Sequence, residues 1–206
     1  METMTTSIIL PFLVFFPFLG AVISYIIGRS NKGARDIWCW ILSAVIFIAS
    51  LTLIGKETVY SLRGFCGLGL SFAADGFGVI LAVLTGAIWL ITTIFSKEYM
   101  AAERNRNRYY FFVFLTLGAT MGIFLSADLF TTFIFFEIMS FTSFVLVMHD
   151  EEDFTVRSAK TYLAVAVIGG LVTLMGLFMM YQKAGTLNMA ELTAFMQSRE
   201  NPAEFY

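Results

Sequence analysis

Residues 129–148 have the sequence LFTTFIFFEIMSFTSFVLVM, an apolar run with one charged side chain, Glu137. A helix that crosses a bilayer needs about 20 mostly apolar residues, because the hydrocarbon core is about 30 Å thick and each residue adds about 1.5 Å. The stretch therefore predicts a transmembrane helix that carries a carboxyl group near its middle.

The composition of the whole chain points the same way. Of its 206 residues, 58% are hydrophobic and 14% are charged, and the mean hydropathy is +0.80. Soluble domains have about 45–50% apolar and about 25% charged residues. The chain is therefore predicted to be an all-α, polytopic membrane protein. The sequence shows no basic patch large enough to bind nucleic acid.

Six apolar runs are long enough to be transmembrane helices. They cover residues 8–28, 37–54, 77–95, 110–125, 129–148 and 162–181. Residues 126–128 are the whole connection between the fourth and fifth runs, which predicts a tight helical hairpin. After the sixth run, Asn188 and Glu191 have the spacing of a capping box. Residues 187–198 are predicted to form a short amphipathic helix at the membrane interface, and the chain is predicted to be a single membrane domain.

The placement of lysine and arginine predicts the orientation, because cytoplasmic loops carry an excess of these residues. Nine lie in the connections after the first, third and fifth runs: Arg29, Lys32, Arg35, Lys97, Arg104, Arg106, Arg108, Arg157 and Lys160. Four lie on the other side: Lys56, Arg63, Lys183 and Arg199. Both termini are therefore predicted to lie on the outer side of the membrane.

Glu137 is the leading candidate for a functional residue. A carboxylate at this depth costs at least about 2.5 kcal/mol unless it faces a cavity or a partner. Ser140 lies three residues further on the same helical face, where its hydroxyl is placed to hold a water against the carboxyl group. Proton or cation handling is the functional interpretation. The structural alternative is a neutral carboxylic acid that bonds to a neighbouring helix.

Lys160 and His149 are weaker candidates for proton transfer. Lys160 is placed at the start of the sixth run, where a cation opposes the helix dipole and so suggests a carboxylate partner. Glu137 lies about 15 Å deeper at about 1.5 Å per residue. The alternative for Lys160 is a side chain that reaches to the membrane surface. His149 closes the fifth run, and histidine is the side chain that ordinarily titrates near neutral pH.

Other polar residues have simpler explanations. Asp75 and Asp128 each precede an apolar run, as N-cap residues do. Gly169, Gly170 and Gly176 are expected to let another helix approach the sixth span closely.

Cys39 and Cys66 lie far apart in a chain with one histidine, so no zinc, iron–sulfur or haem site and no cofactor is predicted. The sequence contains no recognisable enzyme active site, because it lacks a nucleophile–base pair and a phosphate or dinucleotide motif.

Short stretches with a fixed order connect these features to a known family. They are ADGFG at 74–78, FSKEYM at 95–100, LSADL at 125–129, FE at 136–137, SFTSF at 140–144, AKTY at 159–162 and GTLNMAEL at 185–192. The ordered series resembles the antiporter-like membrane subunits shared by respiratory complex I, membrane-bound hydrogenases and Mrp-type sodium/proton antiporters.

The resemblance implies a role for two residues and a larger fold. Glu137 matches a buried glutamate of the family's fifth helix that helps to move protons, and Lys160 matches a lysine often found at the start of the sixth. Family members have about fourteen helices, which include a five-helix repeat and its inverted copy. Their charge relay uses lysines of the seventh and eighth helices. This chain matches the first part of that fold, so a partner chain or a longer polypeptide is expected to supply the remaining helices.

The resemblance also implies a function and a location. The chain is expected to be a proton-translocating or sodium/proton antiporter-like subunit of a redox-driven or Mrp-type complex in a prokaryotic inner membrane. Such a complex is either an oxidoreductase or an antiporter, and this chain would hold no catalytic centre. The alternative function is a scaffold that joins neighbouring membrane subunits and conducts no ions.

Overall fold

The computed structural model describes residues 5–62, 69–103 and 105–197. Arg63, Cys66, Arg104, Arg199 and residue 198 lie outside these ranges. The described helices are α1 Ile9–Ser30, α2 Lys32–Leu51, α3 Gly76–Tyr99, α4 Arg106–Phe124, α5 Leu129–Val147, α6 Asp153–Ala184 and α7 Met189–Gln197. The described strands are β1 Thr5–Thr6, β2 Thr58–Leu62 and β3 Leu70–Ala74.

A small sheet covers one end of the helices. β1 pairs in parallel with β2, and β2 pairs antiparallel with β3. The α4–α5 turn, residues 125–128, extends this layer, because the Ala127 N–H donates to Ser71 O at 2.8 Å. On the other side of the turn, the Leu129 N–H donates to Leu187 O at 3.0 Å. The sequence did not predict this sheet, since strands of two to five residues are too short for a clear alternating pattern.

The connections between helices fall into two groups, which define the ends of the molecule. The sheet end holds the strands, the turn at 125–128 and the segment that follows α6. The loop end holds the connections after α1, α3 and α5, where Arg106 contacts Asp36 and the Lys97 carbonyl, and Arg108 contacts the His149 carbonyl. The helices α1 to α6 therefore run alternately between the two ends, as six membrane crossings require.

Five of these helices, α1, α2, α3, α5 and α6, are long and apolar enough to cross a membrane. α4, which corresponds to the predicted span at 110–125, is less apolar but more enclosed, and residues 116–122 are all buried. Its buried residues include Thr116, Gly118 and Thr120. Small and hydroxyl side chains are typical of contacts between membrane helices. α4 is therefore a central helix that contacts protein more than lipid.

Three helices begin four or more residues earlier than predicted, and α4 is one of them, since it begins at Arg106 rather than residue 110. α2 begins at Lys32 rather than residue 37, and Asn31 caps it by accepting hydrogen bonds from two backbone N–H groups at 2.9 and 3.1 Å. α6 begins at Asp153 rather than residue 162 and has 32 residues. At about 1.5 Å per residue this helix is about 48 Å long, well beyond the hydrocarbon core. Hydropathy located only the apolar part of each helix, so their polar first turns were missed.

Glycines in α4 let neighbouring helices approach it closely. A Cβ at Gly118 would lie 2.6 Å from Cε2 of Phe18 in α1. A Cβ at Gly122 would lie 2.7 Å from Cδ2 of Phe135 in α5. Each phenylalanine ring therefore occupies the space that a larger residue of α4 would fill. These contacts hold α1 and α5 closely against α4 at successive turns of that helix.

The predicted N-caps are confirmed. Asp75 accepts a hydrogen bond from the Gly78 N–H at 2.6 Å. Asp128 accepts from both the N–H and the hydroxyl of Thr131, at 2.7 and 2.6 Å. These bonds fix the first turns of α3 and α5 at the sheet end.

The cap of α7 differs slightly from the predicted capping box. Asn188 Oδ1 accepts from the Glu191 N–H at 3.3 Å, as expected. The Glu191 carboxylate accepts instead from the Thr186 hydroxyl, at 2.5 Å. The helix predicted over residues 187–198 comprises Met189–Gln197 in the structure.

Buried charges join the helices at the loop end. Arg35, predicted to lie in a loop, is a residue of α2 and is 1% exposed. Its guanidinium donates to Asp36 Oδ1 at 2.7 Å, contacts Asn107 Oδ1 and lies 4.7 Å from the centre of the Tyr110 ring. Arg106 of α4 donates to Asp36 Oδ2 at 3.3 Å. One carboxylate therefore connects α2 to α4.

Replacing Asp36 by asparagine is expected to destabilise the protein by about 3–5 kcal/mol, because a buried guanidinium loses its counter-charge. The matched control is Glu98→Gln, which removes an exposed carboxylate of α3 and should change stability by less than about 0.5 kcal/mol. The measurement is the free energy of unfolding of each purified variant, from a denaturant titration in detergent. Equal stability of the two variants would show that this cluster does not hold the helices together.

Candidate functional site

α6 is attached to the rest of the bundle mainly through α5. The residues of α6 that are buried or half-buried along this contact recur every three or four positions: Ala159, Leu163, Ala166, Gly170, Leu174 and Leu177. This spacing places them on one face of the helix. The other faces of α6 are exposed. α6 therefore contacts α5 through a single stripe of residues along one face.

The rotation of α5 directs Glu137 toward this stripe. Phe135, two residues earlier, lies against Gly122 of α4 and is 2% exposed. Side chains two positions apart in an α-helix point in directions about 200° apart around the helix axis. The contact that turns Phe135 toward α4 therefore turns Glu137 toward α6.

The carboxyl group of Glu137 lies directly against the backbone of α6 at Gly170. A Cβ built on Gly170 would lie 2.8 Å from Glu137 Cδ and 2.9 Å from Oε2, and nearer still to Oε1. Oε1 is buried and has no hydrogen-bond partner among the described residues. A carboxyl group at this depth with an unpaired oxygen is able to accept a proton or a cation.

A groove lies beside this contact, between α5 and α6. Its volume is about 520 Å³, and its lining residues are Phe136, Ser140, Thr161, Tyr162, Val165, Ala166, Gly169, Gly170 and Thr173. Ser140 is 6% exposed. Its hydroxyl makes no hydrogen bond to Glu137 and lines the groove beside it. The groove is predominantly apolar, and its lining residues belong to α5 and α6.

Lys160 does not lie at the start of its helix. α6 begins at Asp153, a carboxylate that suits the positive end of the helix dipole. The predicted conflict between Lys160 and a helix amino terminus is therefore wrong. Lys160 is exposed, and ten residues of α6 separate it from Gly170, which corresponds to about 15 Å. Across the described ranges, no carboxylate lies within ion-pair distance of Lys160.

His149 lies at the loop end, in the turn after α5. Its carbonyl accepts a hydrogen bond from Arg108 at 2.8 Å, and its ring is 5.8 Å from that of Tyr109. The ring Nε2 is buried and has no hydrogen-bond partner in the part of the chain that the structure describes. Twelve residues, about 18 Å along a helix, separate His149 from Glu137.

A polar pocket of about 500 Å³ surrounds His149. It is lined by Tyr99, Met100, Glu103, Tyr109, Leu146, His149, Asp150 and Glu152. Arg108 also pairs with Glu151 beside this pocket. Within residues 5–62, 69–103 and 105–197, no group of three or more histidine, cysteine or acidic side chains is placed to hold a metal ion.

The structure thus places the predicted site residues in two separate regions. Glu137 and Ser140 lie at the α5–α6 interface, whereas Lys160 and His149 lie toward the loop end. The sequence grouped Gly170 with Gly169 and Gly176 as packing positions. Of these three described glycines, Gly170 alone has another helix where its Cβ would lie, because a Cβ at the other two would meet no atom within 4 Å. No spacing rule distinguishes Gly170 from its neighbours.

Comparison with known sequences identifies the segment that contains this site. Residues 126–205 match the family described as NADH:quinone oxidoreductase/Mrp antiporter, transmembrane. The matched segment includes α5, α6 and α7, and therefore both Glu137 and Gly170.

Curated proteins are similar to nearly the whole chain. The antiporter subunit mnhD2 of Staphylococcus epidermidis is 30% identical over an alignment of 207 positions, which covers 96% of this chain and 40% of that protein. A Na⁺/H⁺ antiporter subunit of Alkalihalophilus pseudofirmus is 30% identical over 124 residues, 60% of this chain and 25% of that protein.

Solved structures share the fold. A chain of the membrane-bound sulfane sulfur reductase, an archaeal respiratory membrane complex, superposes with a TM-score of 0.81 at 19% identity over 90% of this chain and 39% of that one. A chain of the Mrp complex from Dietzia sp. superposes with a TM-score of 0.75 at 22% identity, over 89% of this chain and 36% of that one.

The chain spans about 40% of the length of the S. epidermidis relative. It is an integral membrane protein with the helix arrangement of far longer subunits. Residues 126–205 thus match this family, and nearly the whole chain is similar to antiporter-like membrane subunits of the Mrp and NADH:quinone oxidoreductase type.

Proposed function

We propose that this chain is part of a proton-translocating or sodium/proton-exchanging membrane subunit in which Glu137 is the protonation switch. The observation that carries the proposal is the buried, unpaired Oε1 of Glu137 at the α5–α6 interface. The similarity to a Na⁺/H⁺ antiporter subunit of A. pseudofirmus supports the choice of ions.

The switch follows from the electrostatics of a carboxyl group away from water. The ionised form is stabilised when a cation approaches, and the neutral form is favoured when that cation withdraws. The described residues place no cation at the depth of Glu137, and Lys160 lies about 15 Å away along α6. The partner cation is therefore supplied by helices beyond those described.

The groove between α5 and α6 is the proposed contact surface for those helices. It lies directly beside the Glu137–Gly170 contact and includes Ser140. A helix seated there would bring its side chains to the carboxyl group. The relatives are more than twice as long as the part of them that this chain matches, so the helix belongs either to the same polypeptide or to a neighbouring subunit.

The loop end is the proposed cytoplasmic side, in a prokaryotic inner membrane. Most of the chain's lysines and arginines lie at this end, as cytoplasmic loops require. His149, which lines a pocket with Glu103, Asp150 and Glu152, is the proposed group that passes protons between water and the interior. Both termini then lie on the outer side.

One observation favours the alternative of a scaffold that conducts no ions. α6 exposes most of its apolar residues, including Val165, Ile168 and Val172, each more than 60% exposed. A helix attached by one stripe is suited to joining neighbouring subunits. In that case the carboxyl group of Glu137 would be a neutral packing element.

Glu137→Gln tests the switch against the scaffold. We expect this variant to assemble normally and to reduce ion transport to the background of membranes that lack the chain, since an amide cannot bind and release a proton. The measurement is pH-gradient formation in inverted native membrane vesicles, with sodium present and absent. Glu98→Gln is the control for loss of a carboxylate. Full transport by Glu137→Gln at normal abundance would support the scaffold instead.

Lys160 and Glu137 are expected to act independently, since they are about 15 Å apart along α6. The effects of Lys160→Gln and Glu137→Asp on transport rate should combine with a coupling energy below about 0.5 kcal/mol, as for other distant sites. The measurement is the transport rate of both single variants and the double variant in the same vesicles. A coupling energy above about 1 kcal/mol would instead indicate a direct or water-bridged pair.

A further inference from the structure

We propose that Gly170 is a positioning residue for the protonation switch: the missing side chain at this position sets where the Glu137 carboxyl group lies. The proposal rests on the proposed function of Glu137, whereas the contact between Gly170 and the Glu137 carboxyl group is observed independently of that function. It concerns one position on α6 that the helix spacing alone does not distinguish.

Geometry separates Gly170 from the other glycines of α6. Atoms Cδ and Oε2 of Glu137 lie 2.8 and 2.9 Å from the position of a Cβ on Gly170. Such distances are shorter than any contact a real methyl group makes with a carboxyl group. Gly169 and Gly176 have no neighbouring atom within 4 Å of the same position. The glycine at 170 therefore admits a carboxyl group, whereas the other two face open space.

The rest of the interface restricts where the carboxyl group can go. Ala159, three turns before Gly170, is fully buried, and Leu177, two turns after it, is 8% exposed. These contacts hold α6 at a fixed distance from α5 on both sides of Gly170. A methyl group at 170 would consequently displace the flexible end of Glu137 before it separated the helices.

Displacement of the carboxyl group changes what it can bind. Against the α6 backbone, Oε1 is enclosed and unpaired. If the group were displaced, it would enter the adjoining groove. There Ser140 supplies a hydroxyl and the lining is predominantly apolar. The protonation equilibrium of Glu137 depends on these surroundings. Gly170 therefore acts on ion transfer through Glu137 and touches no ion itself.

The test is infrared difference spectroscopy of native membranes containing the full chain, combined with transport measurements. The carbonyl band of protonated Glu137 is assigned by its loss in Glu137→Gln. Gly170→Ala is expected to shift the frequency of this band, to shift the pH at which it titrates, and to lower the transport rate. Gly176→Ala, which adds the same methyl group in open space on the same helix, should leave all three unchanged.

A second variant separates positioning from packing. Glu137→Asp shortens the side chain by one methylene and withdraws the carboxyl group from α6. If Gly170 acts through this contact, adding Gly170→Ala to Glu137→Asp should change the band and the transport rate far less than it does in the wild type. Should Gly170→Ala fail to accumulate in membranes, the Glu137→Asp background should restore its abundance.

The outcomes distinguish this inference from the proposed function. An unshifted band in Gly170→Ala, an equal shift in Gly176→Ala, or an undiminished effect in the Glu137→Asp background overturns the positioning role. Normal transport by Glu137→Gln overturns the protonation switch, yet it leaves the infrared comparison of Gly170→Ala with Gly176→Ala interpretable.

Discussion

Two phenylalanine rings, one from α1 and one from α5, pack against the bare backbone of α4 at two of its glycines, and the arrangement of the other helices depends on this packing. Phe18 of α1 contacts Gly118, and Phe135 of α5 contacts Gly122. Because the hydrophobic effect does not drive helices together within lipid, such close van der Waals contacts are a main source of association. The Phe135 contact also sets the rotation of α5. An apolar core contact thereby determines which helix faces Glu137.

The site that results contains few polar groups. The carboxyl group lies against one glycine, with an apolar groove at its side and no cation at its depth within the described residues. A buried charge without a partner is strongly unfavourable. The carboxyl group is therefore sensitive to whatever approaches the groove, and its environment is determined as much by the absent side chain at Gly170 as by any residue that donates a hydrogen bond.

The features that could be predicted from sequence depend on local composition. Hydropathy located the membrane helices, because lipid requires about 20 apolar residues in succession, and Asp75 and Asp128 followed from the local chemistry of a helix start. The first turns of α6 are polar and resemble a loop by hydropathy. The pairing of Asp36 with Arg106 joins residues far apart in the sequence. Gly170 differs from Gly169 only through the position of another helix, so no single-sequence pattern could identify it.

The turn at 125–128 has a mechanical consequence. Its backbone bonds to β3 on one side and to the segment after α6 on the other, so the ends of α4, α5 and α6 form one hydrogen-bonded layer. At the loop end, the backbone hydrogen bonds among the described residues are all local, and the helices are joined there by side chains. Backbone hydrogen bonds therefore anchor α6 at the sheet end, whereas side-chain packing alone sets its position against α5 from Gly170 to the loop end.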